Sequence, residues 1–95
     1  MDKIVQKFGG TTLNNKEKRI QVVNRIKEVF KKDIFPIVVV SAMGRSGEPY
    51  STDTLIELAC ESNGDIPPRE KALIMSCGEV ISSVVMIQEL KNNNL

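Results

Sequence analysis

The side chains best suited to chemistry lie near the start of the chain, in the run Val5-Gln6-Lys7-Phe8-Gly9-Gly10-Thr11-Thr12. A lysine, a Gly-Gly turn and two hydroxyls follow a β-branched stretch and precede a helical one. Glycines let a backbone come close to a ligand and reach positive φ at no steric cost. A helix after such a turn offers an anion its unpaired N–H groups and the positive end of its dipole. Lys7 adds a full positive charge. Together these parts describe a phosphate site. The spacing is not that of the P-loop, whose lysine follows the loop, nor is it Gly-x-Gly-x-x-Gly. Taken alone, the stretch is equally compatible with a plain strand-to-helix turn behind a surface lysine.

Hydrophobic spacing shows the elements that must position these groups. Lys3 to Phe8 reads as a short strand. Asn14 and Glu17 have the spacing of a capping box, and the helix they would begin carries Ile20, Val23, Ile26, Val29 and Phe30 at helical intervals. Pro36 forbids its continuation. Pro36-Ile37-Val38-Val39-Val40-Ser41 is a second strand, and its unbroken apolar run predicts burial on both faces, as in a parallel sheet covered by helices. Strand, helix, strand is a βαβ unit of an α/β fold. Ligands of such sheets bind beyond the carboxyl ends of the strands, and loops 7–12 and 41–44 both fall at that edge.

Residues 43–51 (MGRSGEPYS) read as a mobile loop. A helix is expected from about Thr52 or Asp53, with Leu55, Ile56, Leu58 and Ala59 toward the core, ending at Ser62-Asn63-Gly64-Asp65. Pro67 and Pro68 suit another helix start. The polar Ser76-Cys77-Gly78-Glu79 is expected to interrupt it, with a second helical stretch from about Val80 to Lys91 and both pieces deeply buried. Asn92-Asn93-Asn94-Leu95 reads as a helix end rather than a domain terminus, so the chain looks cut short.

Ninety-five residues allow one small domain. Hydrophobic content of 41% beside 26% charged residues is ordinary for a soluble globular protein. A net charge of +1 and 4% aromatics leave neither a basic footprint nor a stacking platform for nucleic acid. No apolar run reaches the length of a membrane span, and the N-terminus lacks a signal-peptide pattern. Cys60 and Cys77 show neither CxxC nor metal spacing, and histidine is absent. The expectation is two reduced cysteines in a cytoplasmic protein, without a zinc site. Scarce histidine and cysteine weigh against acyl-transfer triads and metallohydrolases. They do not weigh against phosphoryl transfer, which rests on positioning and electrostatics. A carboxylate acceptor would already be ionised near neutral pH and would need no base.

Lys7-Phe8-Gly9-Gly10-Thr11-Thr12 resembles the N-terminal signature of the aspartate kinases, usually Lys-Phe-Gly-Gly-Thr-Ser. Val39-Val40-Ser41-Ala42-Met43-Gly44 resembles that family's second motif, Thr52-Asp53 its Thr-Asp/Asn pair, and Ser76-Cys77-Gly78-Glu79 its third motif, usually Ser-Thr-Gly-Glu. The motifs stand in the family's order and span essentially the whole chain. The long MGRSGEPYSTD loop and the SCGEVISSVV run look most like the diaminopimelate-sensitive aspartokinases of Gram-positive bacteria.

This resemblance implies an amino-acid-kinase α/β/α sandwich with a mainly parallel central sheet. Residues 1–95 would be the N-terminal portion of its catalytic domain, lacking the remainder of that domain and the ACT regulatory domains. The implied reaction moves the γ-phosphoryl group of Mg-ATP to the β-carboxylate of L-aspartate, the first step toward lysine, threonine and methionine. Lys7 matches the motif lysine that neutralises the transferred phosphoryl group, and is the implied catalytic residue. Lys7, Phe8, Gly9, Gly10, Ser41 and Gly44 match the ATP-phosphate-binding set. Thr12, Thr52 and Glu79 match positions that hold aspartate, with Glu79 taking the α-ammonium group. Mg2+ would be carried mainly on the ATP phosphates, with no metal site of the protein's own. ATP and L-aspartate are the implied partners, with no nucleic acid or membrane, and the parent would be a homo-oligomer. Thr12 stands where the family more often has serine, and Cys77 where it has threonine. The adenine and ribose contacts, a second phosphate-binding lysine and the aspartate-binding arginine are missing, so the chain by itself is expected to be inactive.

Two other readings stay open on the sequence: an amino-acid-kinase relative with a different acceptor, and a non-catalytic kinase-like module. Singly, Glu79 also fits a helix N-terminal acid, Ser41 a cap, Thr52 and Asp53 helix-capping residues, and Arg45 a solvated charge.

Overall fold

A computed structural model of the chain describes residues 1–61 and 64–95. Strand β1 (Lys3–Phe8) leads through a single 3-10 turn (Gly10–Thr12) to helix α1 (Lys16–Lys31) and strand β2 (Phe35–Val40). Helices α2 (Thr52–Cys60) and α3 (Pro68–Asn92) follow. The strands pair in parallel, with Lys3 opposite Phe35 and Phe8 opposite Val40. The expected βαβ unit is therefore present, and both strands deliver their carboxyl ends to the same edge.

Helix α1 forms for the expected reason, an apolar stripe between charges, but its boundaries differ. Asn15, not Asn14, is the N-cap: its side-chain oxygen accepts from the Lys18 amide at 2.9 Å. Asn14 is drawn away instead, its amide nitrogen donating to Glu48 Oε2 at 3.2 Å. At the other end the helix stops before Pro36 is reached. Asp33 takes a left-handed conformation (φ 57°) and its amide donates to the Phe30 carbonyl, so the chain reverses toward β2.

The core gathers Leu13, Val22, Val23, Ile26, Met43 and Met86, with Phe8, Val38 and Val40 of the sheet packed against it. Leu13, Val23 and Ile26 are sealed from solvent, and each such burial contributes about 1.5–3 kcal/mol. Of the expected α1 core residues, Ile20 and Val29 are half-buried and Phe30 is exposed; Leu13 and Val22 take their place. The sheet is not buried on both faces as its apolar run predicts. Alternate residues Val5, Phe35, Ile37 and Val39 lie on the face away from the core and are exposed. An apolar run states that both faces tolerate burial; among the described residues, packing covers one.

Helix α2 starts where expected, with Ser51 as its cap: the hydroxyl accepts from the Thr54 amide at 3.2 Å. Leu55 and Ile56 are half-buried, while Leu58 and Ala59 face outward. The expected stop includes Ser62 and Asn63, which lie outside the described residues; Gly64, at φ 74°, donates its amide to the Cys60 carbonyl at 2.8 Å.

The break expected at residues 76–79 is absent. Helix α3 runs unbroken over 25 residues. Its polar residues bond within the helix, Ser76 Oγ donating to the Leu73 carbonyl at 2.7 Å and Cys77 Sγ to the same carbonyl at 3.4 Å. Gly78 is a packing residue rather than a breaker, buried where α3 crosses the loop after β2. Nor is α3 deeply buried: Gly78, Ser82, Met86 and Glu89 turn inward, whereas Leu73, Val80, Val84 and Ile87 are more than half exposed. Because it is continuous, α3 is also long and apolar enough to cross a membrane by length and composition, with a mean hydropathy of 1.5 over 18 residues. That corrects the expectation that no stretch reaches such a length. A helix with one face in a protein core has the same composition. Cys60 and Cys77 are both free thiols.

Candidate active site

The Gly-Gly turn is built by local hydrogen bonds. After Phe8, Gly9 is extended, and its carbonyl accepts from both the Thr12 amide at 3.1 Å and the Thr12 hydroxyl at 2.7 Å. The amides following Gly10 therefore belong to a 3-10 turn, and the N-terminus of α1 stands several residues further on at Lys16. Helix α1 thus starts one residue after the expected Asn14 cap and clear of the glycines. Its dipole starts at Asn15, not at the Gly-Gly turn.

The two strand-end loops are stitched to each other. Ser41 donates its amide to the Phe8 carbonyl at 3.2 Å, prolonging the ladder, and Gly44 donates to the Gly10 carbonyl at 2.9 Å. Gly10 has no room for a side chain: a Cβ would strike the Ala42 carbonyl oxygen and stand 2.9 Å from that of Gly44. Gly44 is required for another reason, its φ of 90°. Gly9, by contrast, has open space where a Cβ would point.

Residues 43–51, expected as a mobile loop, fold into consecutive turns organised by Glu48. Its carboxylate accepts from the Arg45 amide at 2.8 Å and from Asn14, while the Glu48 amide returns to the Arg45 carbonyl at 2.9 Å. The Glu48 carbonyl accepts from the Ser51 amide, delivering the chain to the α2 cap. Sequence reasoning did not single out Glu48, because its main partner is distant in the chain.

These supports create a cavity of about 340 Å³ whose wall is formed by Gly10, Thr11, Ser41, Ala42, Gly44, Ser46, Ser51, Thr52, Asp53 and Glu79. Five residues selected from the sequence, Gly10, Ser41, Gly44, Thr52 and Glu79, thus come together from both strand ends, the start of α2 and the middle of α3. The wall adds Thr11, Ser46, Ser51 and Asp53. Hydroxyls for a carboxylate and two carboxylates for an ammonium group are what a zwitterionic amino acid requires.

The remaining candidates lie elsewhere. Phe8 and Thr12 line a second cavity of about 300 Å³ with Thr11, Lys18, Gln21, Val22, Arg25 and Arg45. Three cations beside two threonine hydroxyls make this the basic side of the turn, and Thr11 belongs to both walls. Lys18 is braced there, its Nζ donating to the Thr11 carbonyl at 3.0 Å. Lys7 lines neither cavity; it is exposed on the strand face shared with Val5, opposite Phe8. Gly9 borders the turn without lining either wall.

Residues 2–95 match the model of the amino acid kinase family, and the chain belongs to that family. It is similar to aspartokinase 1 of Bacillus subtilis, with 47% identity over 92 residues, covering 97% of this chain and 23% of that protein. An aspartokinase of Geobacillus stearothermophilus is 38% identical over 87 residues, covering 92% and 20% respectively. The crystal structure of aspartate kinase from Synechocystis superposes with a TM-score of 0.85 at 36% identity, over 97% of this chain and 15% of the other. The chain thus spans about a fifth of the curated relatives it matches, and its α/β fold is that of the corresponding part of an aspartate kinase.

Proposed function

We propose that residues 1–95 are the N-terminal portion of the catalytic domain of an aspartate kinase, which transfers the γ-phosphoryl group of Mg-ATP to the β-carboxylate of L-aspartate. The observation that carries this reading is the meeting of Thr52 and Glu79 with Gly10, Ser41 and Gly44 around one cavity. The similarity to aspartokinases supports it. Glu79 accepts hydrogen bonds from the substrate ammonium and Thr52 supplies a hydroxyl to a substrate carboxylate, whereas Thr12, whose hydroxyl is held by the Gly9 carbonyl on the basic side of the turn, shapes that turn rather than the aspartate cavity. Gly9, Gly10, Ser41 and Gly44 present the strand-end backbone to phosphate. Phe8 holds that backbone by anchoring the end of β1 in the core.

The residues fit a nucleotide triphosphate: the backbone is open at Gly9, and Lys18, Arg25 and Arg45 surround the basic side of the turn. Bound ATP supplies the phosphoryl group, with its leaving group already activated. Lys7, which lines neither cavity, is assigned by its place in the motif alone to offset the negative charge gathered on that group during transfer. Mg2+ is carried chiefly on the phosphate oxygens of ATP. The aspartate carboxylate is ionised and attacks without a base. A cytoplasmic enzyme of the diaminopimelate-sensitive Gram-positive type accords with this reading.

The test is to replace the matching segment of Bacillus subtilis aspartokinase 1 with residues 1–95 and to trap aspartyl phosphate with hydroxylamine. Product that requires both L-aspartate and Mg-ATP is expected from the chimera, and none from the 95-residue chain alone. A folded, soluble chimera that makes no product, or that phosphorylates a different acceptor in preference, would overturn the assignment.

A further inference from the structure

Outside the two cavity walls, one side chain ties the candidate site together. Glu48 is half-buried in the loop between β2 and α2, and its carboxylate meets two segments at once. Oε1 accepts from the Arg45 amide at 2.8 Å, and Oε2 from Asn14 Nδ2 at 3.2 Å. Asn14 is a firm base: Leu13 before it is sealed in the core, and the Leu13 carbonyl accepts from Arg19 Nη1 at 2.9 Å. Residues 44–47 have less support of their own. They begin and end on glycines at φ 90° and 92°, where the backbone pivots most freely. The Gly44 amide ties the first end to the Gly10 carbonyl, and the Glu48 clasp on Asn14 ties the second. Between the ties lies the partition of the site: Gly44 and Ser46 line the candidate aspartate cavity, and Arg45 lines the basic one. The clasp is not what stability alone would favour. It leaves Asn14 Oδ1 buried without a partner among the described residues, which is itself destabilising.

We propose that Glu48, clasped by Asn14, is a positioning residue for phosphoryl transfer, fixing Gly44, Arg45 and Ser46 between the acceptor cavity and the nucleotide phosphates. This role rests on the reaction proposed above. Glu48 lines neither of those cavities and acts through the three residues it holds. Its carboxylate takes the main-chain amide of Arg45, so the guanidinium charge is left for an anion in the basic cavity. A hydrogen bond to an ionised acceptor is shorter and stronger than one between neutral groups, which suits a clasp that must hold an exposed loop in one place. The same residue also leads into the acceptor side: the Glu48 carbonyl accepts from the Ser51 amide at 3.3 Å and from the Ser51 hydroxyl at 3.2 Å, just ahead of Thr52.

In the 95-residue chain, Glu48→Ala should speed hydrogen exchange at the Arg45 and Gly44 amides at least about tenfold, with circular dichroism unchanged. In the chimera with Bacillus subtilis aspartokinase 1, Glu48→Ala should lower kcat at saturating substrates by about 10- to 100-fold, measured well below its unfolding midpoint. Asn14→Asp sets two carboxylates against each other and should lower kcat about as far. Adding Glu48→Gln to Asn14→Asp reverses the polarity of the clasp, the new amide donating to the new carboxylate while its oxygen accepts from Arg45. That double variant should recover kcat to within about threefold of the unsubstituted chimera. A folded Glu48→Ala chimera with full kcat and only a lower unfolding midpoint would reduce Glu48 to a stabilising residue and overturn the proposal. So would a double variant no faster than Asn14→Asp alone, or amide exchange unchanged by Glu48→Ala. If the unsubstituted chimera makes no aspartyl phosphate, the reaction assignment falls, and exchange in the 95-residue chain still decides whether Glu48 holds the partition.

Discussion

Gly78, in the middle of α3, presses against Ala42 in the loop after β2: a Cβ on Gly78 would stand 2.8 Å from the Ala42 methyl carbon and 3.1 Å from Leu55 Cδ1. This crossing brings Glu79, the next residue, to the wall shared with Ser41 and Gly44. A glycine inside a helix costs roughly 1 kcal/mol relative to alanine, and here close approach explains its presence. Gly78→Ala gains helix propensity but overpacks the crossing by about 1–3 kcal/mol. Net destabilisation of about 1–2 kcal/mol is expected, visible as a lower urea midpoint. A higher midpoint would mean that α3 can shift away freely.

Gly10→Ala is expected to be the more damaging substitution, because its Cβ meets the backbone carbonyls of Ala42 and Gly44 rather than movable side chains. Parting these loops breaks the Gly44-to-Gly10 hydrogen bond. Displacement of about 1 Å at a reaction centre can cost 100-fold, so hydroxamate formation by the chimera should fall by at least about that factor. Retention of full activity would separate the loop pairing from catalysis.

Lys7→Ala in the chimera should lower kcat by about 100- to 1000-fold, the range seen when one preorganised electrostatic stabiliser is removed. Protein stability should hardly move, since Lys7 is exposed. An unaltered kcat would remove Lys7 from the mechanism.

Glu79→Gln should raise the KM for aspartate by about 10- to 100-fold, the value of a hydrogen bond to a charged group, with a far smaller change for ATP. Equal effects on both substrates would contradict an ammonium-binding role for this carboxylate.

Ser51→Ala removes the cap of α2, whose hydroxyl serves the Thr54 amide and contacts the Thr54 hydroxyl at 2.8 Å. A loss of about 1 kcal/mol is expected, measured by thermal or urea unfolding of the 95-residue chain. Because Thr52 follows directly, the aspartate KM of the chimera should rise as well.

Local chemistry made several features legible beforehand. β-branched runs marked β1 and β2, an amphipathic stripe marked α1, and the glycine, serine and threonine clusters marked the loops at the sheet edge. The capping position was misread by one residue because Asn14 and Asn15 are chemically identical candidates. Glu48, 34 residues from Asn14, takes the first and leaves the second to cap. No local pattern reports such a contact.

What the sequence by itself determined is the βαβ order and the identity of the polar groups gathered in the site, because periodicity and turn chemistry act between near neighbours. Tertiary structure decided the rest. Packing covered one side of an equally apolar β2 and left Phe35, Ile37 and Val39 on the other exposed. The tight Gly78 crossing then brought Glu79 to the wall that holds Gly10, Ser41, Gly44 and Thr52. Those outcomes depend on shape and contact between distant segments, which spacing along a chain does not encode.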